Sequence, residues 1–153
     1  MAQSLNLFTE APVQGELDLA LNPMTIAAQV AFDEATALIP GQAVKIVDSV
    51  DGIPKVTAVT ADTDDVFGFV NYSEKDADFP AGAPCEISFF RGNVMYMTAS
   101  AAIARNAKVM VVVSGSKVAT RASSGICIGR ALDKATANND LIRVLIDLPG
   151  VAS

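Results

Sequence analysis

Few side chains in this sequence are equipped for chemistry, and those few are carboxylates, hydroxyls and two thiols. None of the 153 residues is histidine, which removes the commonest general base and the commonest metal ligand together. No Ser–His or Cys–His nucleophile pair can be assembled without one. The glycine-rich loop ending in Lys-Ser/Thr that cradles phosphate is absent, as is the dinucleotide fingerprint. Cys85 and Cys127, with no histidine to join them, cannot complete an ordinary zinc site. Both sit in apolar, strand-like contexts, and the expectation is two buried free thiols. No spacing rule signals a disulfide between them.

Three groupings imitate sites. Asp62, Asp64 and Asp65 suggest calcium, but the loop lacks the later glycine and the terminal bidentate glutamate of a helix-loop-helix site. It reads as a solvated acidic loop. Ser123-Ser124-Gly125 has the look of a catalytic serine, yet without a histidine or a lysine motif nearby it reads as a turn. Glu74 and Asp76 flank Lys75 and read as a solvated charge run. Carboxylates alone can hydrolyse glycosides, so that chemistry stays open for these five acids. The expectation is otherwise a protein that is not an enzyme and needs no cofactor or metal.

Behind these groups stand elements of one kind. From Ile39 onward the signals are mostly strand, punctuated by Gly, Pro and Asn. Residues 43–47 form a β-branched run, Asp51-Gly52 supplies a turn, and residues 55–60 resume the strand. Residues 85–90, Arg91-Gly92-Asn93 and residues 94–98 read as the clearest hairpin. A second hairpin runs through residues 108–113, Ser114-Gly115-Ser116 and residues 117–120. In the last strand Ile142, Val144, Ile146 and Leu148 share one face, with Arg143 and Asp147 on the other. A small-residue turn feeding a hairpin recurs about three times, opening at Ile39, Phe79 and Ile103. Lys55-Val56 and Gly68 of the first unit answer to Lys117-Val118 and Gly129 of the last. Short, evenly spaced strands of this sort predict an all-β fold, a small β-barrel or β-sandwich.

The beginning of the chain differs. Pro12, Gly15 and Pro23 interrupt it, and its apolar residues come in sets: Leu5, Leu7 and Phe8, then Leu17, Leu19 and Leu21. Residues 17–21 alternate like a strand with one sticky face. Residues 1–30 are therefore read as an extended N-terminal arm that docks these six side chains on another surface. Residues 31–153 form the single β-rich domain. Within residues 29–38 the propensities of Ala, Glu and Leu favour a short helix.

Half the residues are apolar (51%), only 18% are charged, and the net charge is −6. The longest charge-free run, residues 19–32, is too short for a spanning helix of about 20 apolar residues. A secretory signal is not expected either, since no basic segment followed by an apolar stretch opens the sequence. The apolar excess instead suggests burial against other chains, because a monomer seldom exposes large apolar patches. Arg91, Arg105, Arg121, Arg130 and Arg143 are scattered, so neither nucleic acid nor membrane is an expected partner.

The ordered series of segments resembles the capsid decoration (cement) proteins of tailed bacteriophages. It consists of Gly41 through Asp48, Lys55-Val56-Thr57, Phe67-Gly68-Phe69-Val70, Ala107-Lys108-Val109, Lys117-Val118, Ile128 through Asp133, and Asp140 through Ile146. The similarity covers roughly residues 38 to 148 and leaves the arm outside it. The resemblance implies a small barrel or sandwich made in the bacterial host cytoplasm and carried on the outer capsid surface of the virion. It implies homotrimers at or near threefold positions that bridge neighbouring major capsid (coat) protein subunits and stabilise the mature shell. It carries over no catalytic residue. The alternative is another phage structural component, such as a tail-tube or head-fibre protein, or a general β-rich binding module.

Overall fold

The computed structural model describes residues 13–16, 25–61, 64–89 and 91–148. Within them lie ten strands and no helix, so no helix there is long and apolar enough to cross a membrane. The fold is all-β. The first five strands are β1 (Thr25–Val30), β2 (Ala43–Val50), β3 (Ile53–Ala58), β4 (Gly68–Val70) and β5 (Pro84–Ser88). They close into a barrel in the order β1-β3-β2-β4-β5. The next five are β6 (Val94–Thr98), β7 (Lys108–Val112), β8 (Lys117–Thr120), β9 (Gly129–Ala131) and β10 (Leu141–Ile146). They form a second sheet in the order β6-β10-β9-β7-β8, and a single parallel bridge between Ala99 and Val118 brings the end of β6 back to β8, rolling this sheet into a second, incompletely closed barrel.

These are one topology used twice. Replacing β1–β5 by β6–β10 leaves each antiparallel pairing unchanged, and the parallel contact of β1 with β3 becomes the Ala99–Val118 bridge. The agreement reaches single hydrogen bonds. Leu38 and Phe79 exchange a pair of backbone bonds, as do Ile103 and Ala135. The Gly41 N–H donates to Val70 O at 2.7 Å, and the Asn106 N–H to Ala131 O at 2.7 Å. The Gly82 N–H donates to Val30 O, and the Asn139 N–H to Ala99 O. Gly41 and Asn106 have φ of +78° and +66°, Gly82 and Asn139 of +79° and +72°. Glycine and asparagine are the residues that tolerate this left-handed region best. At the start of β4 and β9 both copies need glycine because backbone passes close by. A Cβ would lie 2.6 Å from Ser88 O at Gly68 and 1.9 Å from Leu145 O at Gly129.

The repeat seen in the sequence is thus two units rather than three. Leu38, not Ile39, is the partner of Ile103, while Lys55-Val56 with Lys117-Val118 and Gly68 with Gly129 correspond as expected. The segment opening at Phe79 is the approach to β5, matching the approach to β10 from Ala135.

Two further expectations are corrected. Residues 85–90 and 94–98 do not form a hairpin: β5 lies between β1 and β4, whereas β6 pairs with β10. With both edges of β5 occupied, the Arg91-Gly92-Asn93 connection carries the chain from one barrel to the other. There the Asn93 amide donates to Ser88 Oγ at 2.5 Å and the Gly92 N–H to Ile146 O at 2.8 Å. Residues 29–38 are not helical. The Val30 N–H is committed to Ala83 O, the Ala31 N–H to Val56 O and the Gln29 amide to Gly82 O. Those long-range bonds leave the segment no helical ladder, and propensity is overridden. The β7–β8 hairpin is present as expected, with Val112 opposite Lys117. Ile142, Val144, Ile146 and Leu148 are buried together.

One core, with Val30, Leu38, Val44, Val56, Val70 and Ile87, fills the first barrel. The other, with Met95, Met97, Ile128, Ile142, Val144 and Ile146, also takes in Ala43, Val59, Val66 and Phe69 of the first barrel. The second barrel therefore seals part of the outside of the first. Of the span read as an arm, residues 25–30 are barrel strand β1 and residues 13–16 lie between the barrels. Leu5, Leu7, Phe8, Leu17, Leu19 and Leu21 fall outside the described residues.

Candidate interaction surfaces

The groups picked out for chemistry are engaged in turns or stand apart. Asp64 Oδ2 accepts from Lys45 Nζ at 2.9 Å, from the N–H groups of Thr60 and Ala61, and from the Thr60 hydroxyl. Lys45 beside it, with those turn donors, holds its carboxyl well below the usual range. Asp62 is outside the described residues, and Asp65 follows in the same loop. Ser123 and Ser124 are exposed in a turn closed by the Gly125 N–H on Ala122 O. Cys85 and Cys127 are both free, but only Cys85 is buried, and Cys127 is half-buried. Among the described residues no group of three or more Cys, Asp or Glu side chains could hold a metal. Glu74 is exposed and apart; Asp76 instead shares a cleft of about 320 Å³ with Tyr72, Phe79 and Glu86. Glu86 escaped the sequence reading because only strand pairing brings it there.

The seam between the barrels shows what a docked surface is in this chain. Three successive carbonyls of the β7–β8 turn are received, two by the first barrel and the third by Gln14 of the 13–16 segment. Ser114 O accepts from the Gln42 amide at 3.0 Å, Gly115 O from the Ala43 N–H at 2.8 Å, and Ser116 O from the Gln14 amide at 3.1 Å. Gln14 also donates to Pro40 O at 2.9 Å and accepts from the Thr98 hydroxyl. Next to it the Gly15 N–H donates to Tyr96 O and Gly15 O accepts from Tyr72. Residues 13–16 are thus a wedge bonded to both barrels. Val113, Ser114 and Gly115 have φ of +54°, +52° and +79°, an unfavourable run for a β-branched residue that these bonds hold. Beneath the turn the first barrel offers an apolar row: Val59 bonded to Ala43, and Ala43 opposite Phe69, all at most 1% exposed.

The corresponding row of the second barrel is basic. Arg121 stands where Val59 does, Lys108 where Ala43 does, and Arg130 where Phe69 does. The Arg121 N–H donates to Lys108 O at 2.9 Å, and Lys108 is opposite Arg130. Strands about 4.8 Å apart put these three side by side. Lys108 and Arg130 are exposed and Arg121 is half-buried. Arg121 and Arg130, scattered in the sequence, are neighbours in the fold. The difference from Val59-Ala43-Phe69 follows from position: the first row is covered by the second barrel, whereas in the second row Arg121 Nε donates to Gly125 O at 2.8 Å and Arg130 Nη1 to Asn106 O at 3.1 Å.

The hairpins also differ. Beyond a bulge between Ile46 and Asp48, β2 and β3 continue through Ser49–Pro54 and Val50–Ile53 pairs. Ile46, Val47, Val50 and Ile53 are 47, 51, 43 and 48% exposed, with Asp48 and Asp51 beside them. At the base of the hairpin Phe32 is 69% exposed. Lys55 Nζ lies 4.2 Å from its ring centroid, a cation–π geometry. The ring also rests against Gly82, where a Cβ would come within 2.9 Å of it. An exposed aromatic ring held in this way is a preorganised anchor, the kind of residue that dominates binding energy at interfaces.

Solved structures contain a similar arrangement. The crystal structure of the head fibre gp8.5 N base of bacteriophage phi29 superposes with a TM-score of 0.58 at 13% identity, over 85% of this chain and 98% of that one. At that identity the likeness is one of fold. Among curated proteins none matches the chain. The family model of the XM1 gp53 minor capsid protein matches residues 1–146. With nearly the whole chain inside that match, this all-β double barrel belongs to the XM1 gp53 minor capsid protein family and is a phage head structural protein.

Proposed function

We propose that the chain is a capsid decoration protein that sits on the outer surface of the phage head. There, as a homotrimer, it bridges major coat subunits and stabilises the mature shell without catalysing a reaction. The family match over residues 1–146 carries this reading, and the anchored, exposed Phe32 beside the apolar β2–β3 hairpin is the surface that suits it. A protein that binds only the mature lattice stabilises it by its binding free energy. Several linked contacts per trimer multiply that effect without strengthening any one of them. Leu5, Leu7, Phe8, Leu17, Leu19 and Leu21 would add strand-like contacts to the coat.

Heads assembled without this protein provide the test. The wild-type chain should co-sediment with them and raise the temperature at which they open. Phe32→Ala and a deletion of residues 2–12, which spares the Gln14 and Gly15 bonds between the barrels, should each bind at least about tenfold more weakly. Absence of wild-type binding to heads would end the decoration reading. A second reading, the base of a head fibre, is favoured by the likeness to the phi29 gp8.5 N base. Electron micrographs separate the two, since a fibre base leaves projections on the head and a decoration protein leaves a continuous low coat.

A further inference from the structure

The two barrels treat one place in their shared topology in opposite ways. In the second, the chain leaving β9 is tied to β10 where the Leu132 N–H donates to Arg143 O at 2.9 Å. In the first, the Asn71 N–H donates to Glu86 O at 2.9 Å. Arg143 and Glu86 are therefore counterparts, as are Asp133 and Tyr72, the residues that follow Leu132 and Asn71. The second barrel fills its place from within, because Asp133 receives the Arg143 guanidinium through Nε and Nη2 at 2.9 Å each. The first has a carboxylate in place of the guanidinium and a ring in place of its partner, and there the cleft of about 320 Å³ opens.

Three features of this cleft call for a cation with several N–H donors. Asp76 and Glu86 both line it and both are exposed, yet among the described residues no lysine or arginine forms a salt bridge with either. All eleven lysines and arginines of the chain lie within the described residues, so no further basic side chain of this chain is left to neutralise them. Asn71 lines the same cleft and is 7% exposed. Its Oδ1 is the one buried side-chain polar atom among the described residues without a hydrogen-bond partner. Buried acceptors are nearly always satisfied, and an N–H entering the cleft is what this one lacks. Tyr72, which is 45% exposed, adds an aromatic face, and a planar guanidinium suits such a face better than a compact ammonium.

We infer that this cleft is a socket for an arginine side chain presented by a protein partner. Glu86 and Asp76 receive the guanidinium, Asn71 Oδ1 accepts one of its N–H groups, and the Tyr72 ring stacks on its plane. The pairing is charge-assisted and directional, as it is for Arg143 in the second barrel. The socket goes beyond the proposed function, since it fixes the chemistry of one docking contact whether or not the partner is a coat subunit.

The test is a titration of the full chain, labelled with nitrogen-15, with N-acetyl-arginine amide. The backbone amide signals of residues 71–76, Cys85 and Glu86 should shift saturably, with a Kd on the order of 1 mM, and less readily at high salt. N-acetyl-lysine amide and the neutral N-acetyl-citrulline amide should each bind more weakly. Asp76→Asn with Glu86→Gln should weaken arginine binding at least about tenfold, whereas Glu74→Gln, outside the cleft, should leave it unchanged. All three positions are exposed, and the amide spectrum itself shows that each variant folds. No saturable shift, shifts centred elsewhere, equal binding of the citrulline or lysine compound, or unchanged binding by the double variant would each overturn the inference. Because no heads are present, failure here is separate from failure to bind a coat.

Discussion

At Gly129 a methyl group would occupy the space of Leu145 O, which lies only 1.9 Å from the Cβ position. Neither strand can give way, since β9 and β10 are hydrogen-bonded there. Gly129→Ala should therefore lower stability by about 3 kcal/mol or more, near the upper end for single substitutions. Gly92→Ala meets no atom within 4 Å but has φ of +99°, so it should cost only about 1–2 kcal/mol. Urea midpoints of the two variants check the contrast. The thiols differ for a related reason. Burial pushes the Cys85 thiol up to about 11, while Cys127 is half-buried. Only thiolate reacts, so a maleimide at pH 8 should label Cys127 in the native protein and Cys85 only after unfolding.

Between elements, the best-placed ion pair ties the β9–β10 connection to β10. Asp133 accepts from Arg143 Nε and Nη2 at 2.9 Å each and from its backbone N–H at 3.0 Å. The Arg143 guanidinium holds the Asp133 carboxyl below its usual range. Asp140 is lowered first by the Thr136 N–H, then by the Thr136 hydroxyl and the Ala137 N–H. Asp64, lowered by Lys45, completes the set. A carboxylate whose folded value lies below its unfolded value of about 3.9 contributes stability above that value and loses it as pH falls through the folded one. The melting temperature should stay level from about pH 7 to 5 and fall below about pH 4. Asp133→Asn should cost about 1 kcal/mol at neutral pH, given the partial exposure of the pair, and make the acid decline shallower.

Across the whole molecule, the seam decides whether two barrels behave as one body. The second core extends into Ala43, Val59, Val66 and Phe69, and Gln14 and Gln42 pin the β7–β8 turn against the first barrel. A single calorimetric transition is expected for the wild type. Gln42→Ala strands the Ser114 carbonyl and removes the Gln42 contact to the Ile39 N–H, which should cost about 1–3 kcal/mol. Adding Gln14→Ala should broaden the transition or split it in two, because the wedge then loses its bonds to Pro40, Ser116 and Thr98.

Much of this was legible from residue order alone. Strand alternation, Gly and Asn punctuation and the lack of histidine pointed to an all-β protein, and the β7–β8 hairpin could be read from residues 108–120. The ordered segments also suggested a phage capsid protein. The duplication was legible only in outline, because the two copies meet the same backbone requirement with different residues, Gly41 with Asn106 and Gly82 with Asn139. Side-chain identity fades while the φ angle it serves persists. Nor could local signals separate the β5–β6 crossing from a hairpin, since a short glycine-bearing connection serves both. Which edges are already occupied is a non-local fact. The same holds for the surfaces. Lys108 lies on β7, Arg130 on β9 and Arg121 just past the end of β8, and only the pairing of those strands makes them a row. The sequence determined what the strands are made of; the pairing of strands distant in the chain decided which residues meet, because hydrogen-bonded neighbours in a sheet need not be neighbours in sequence.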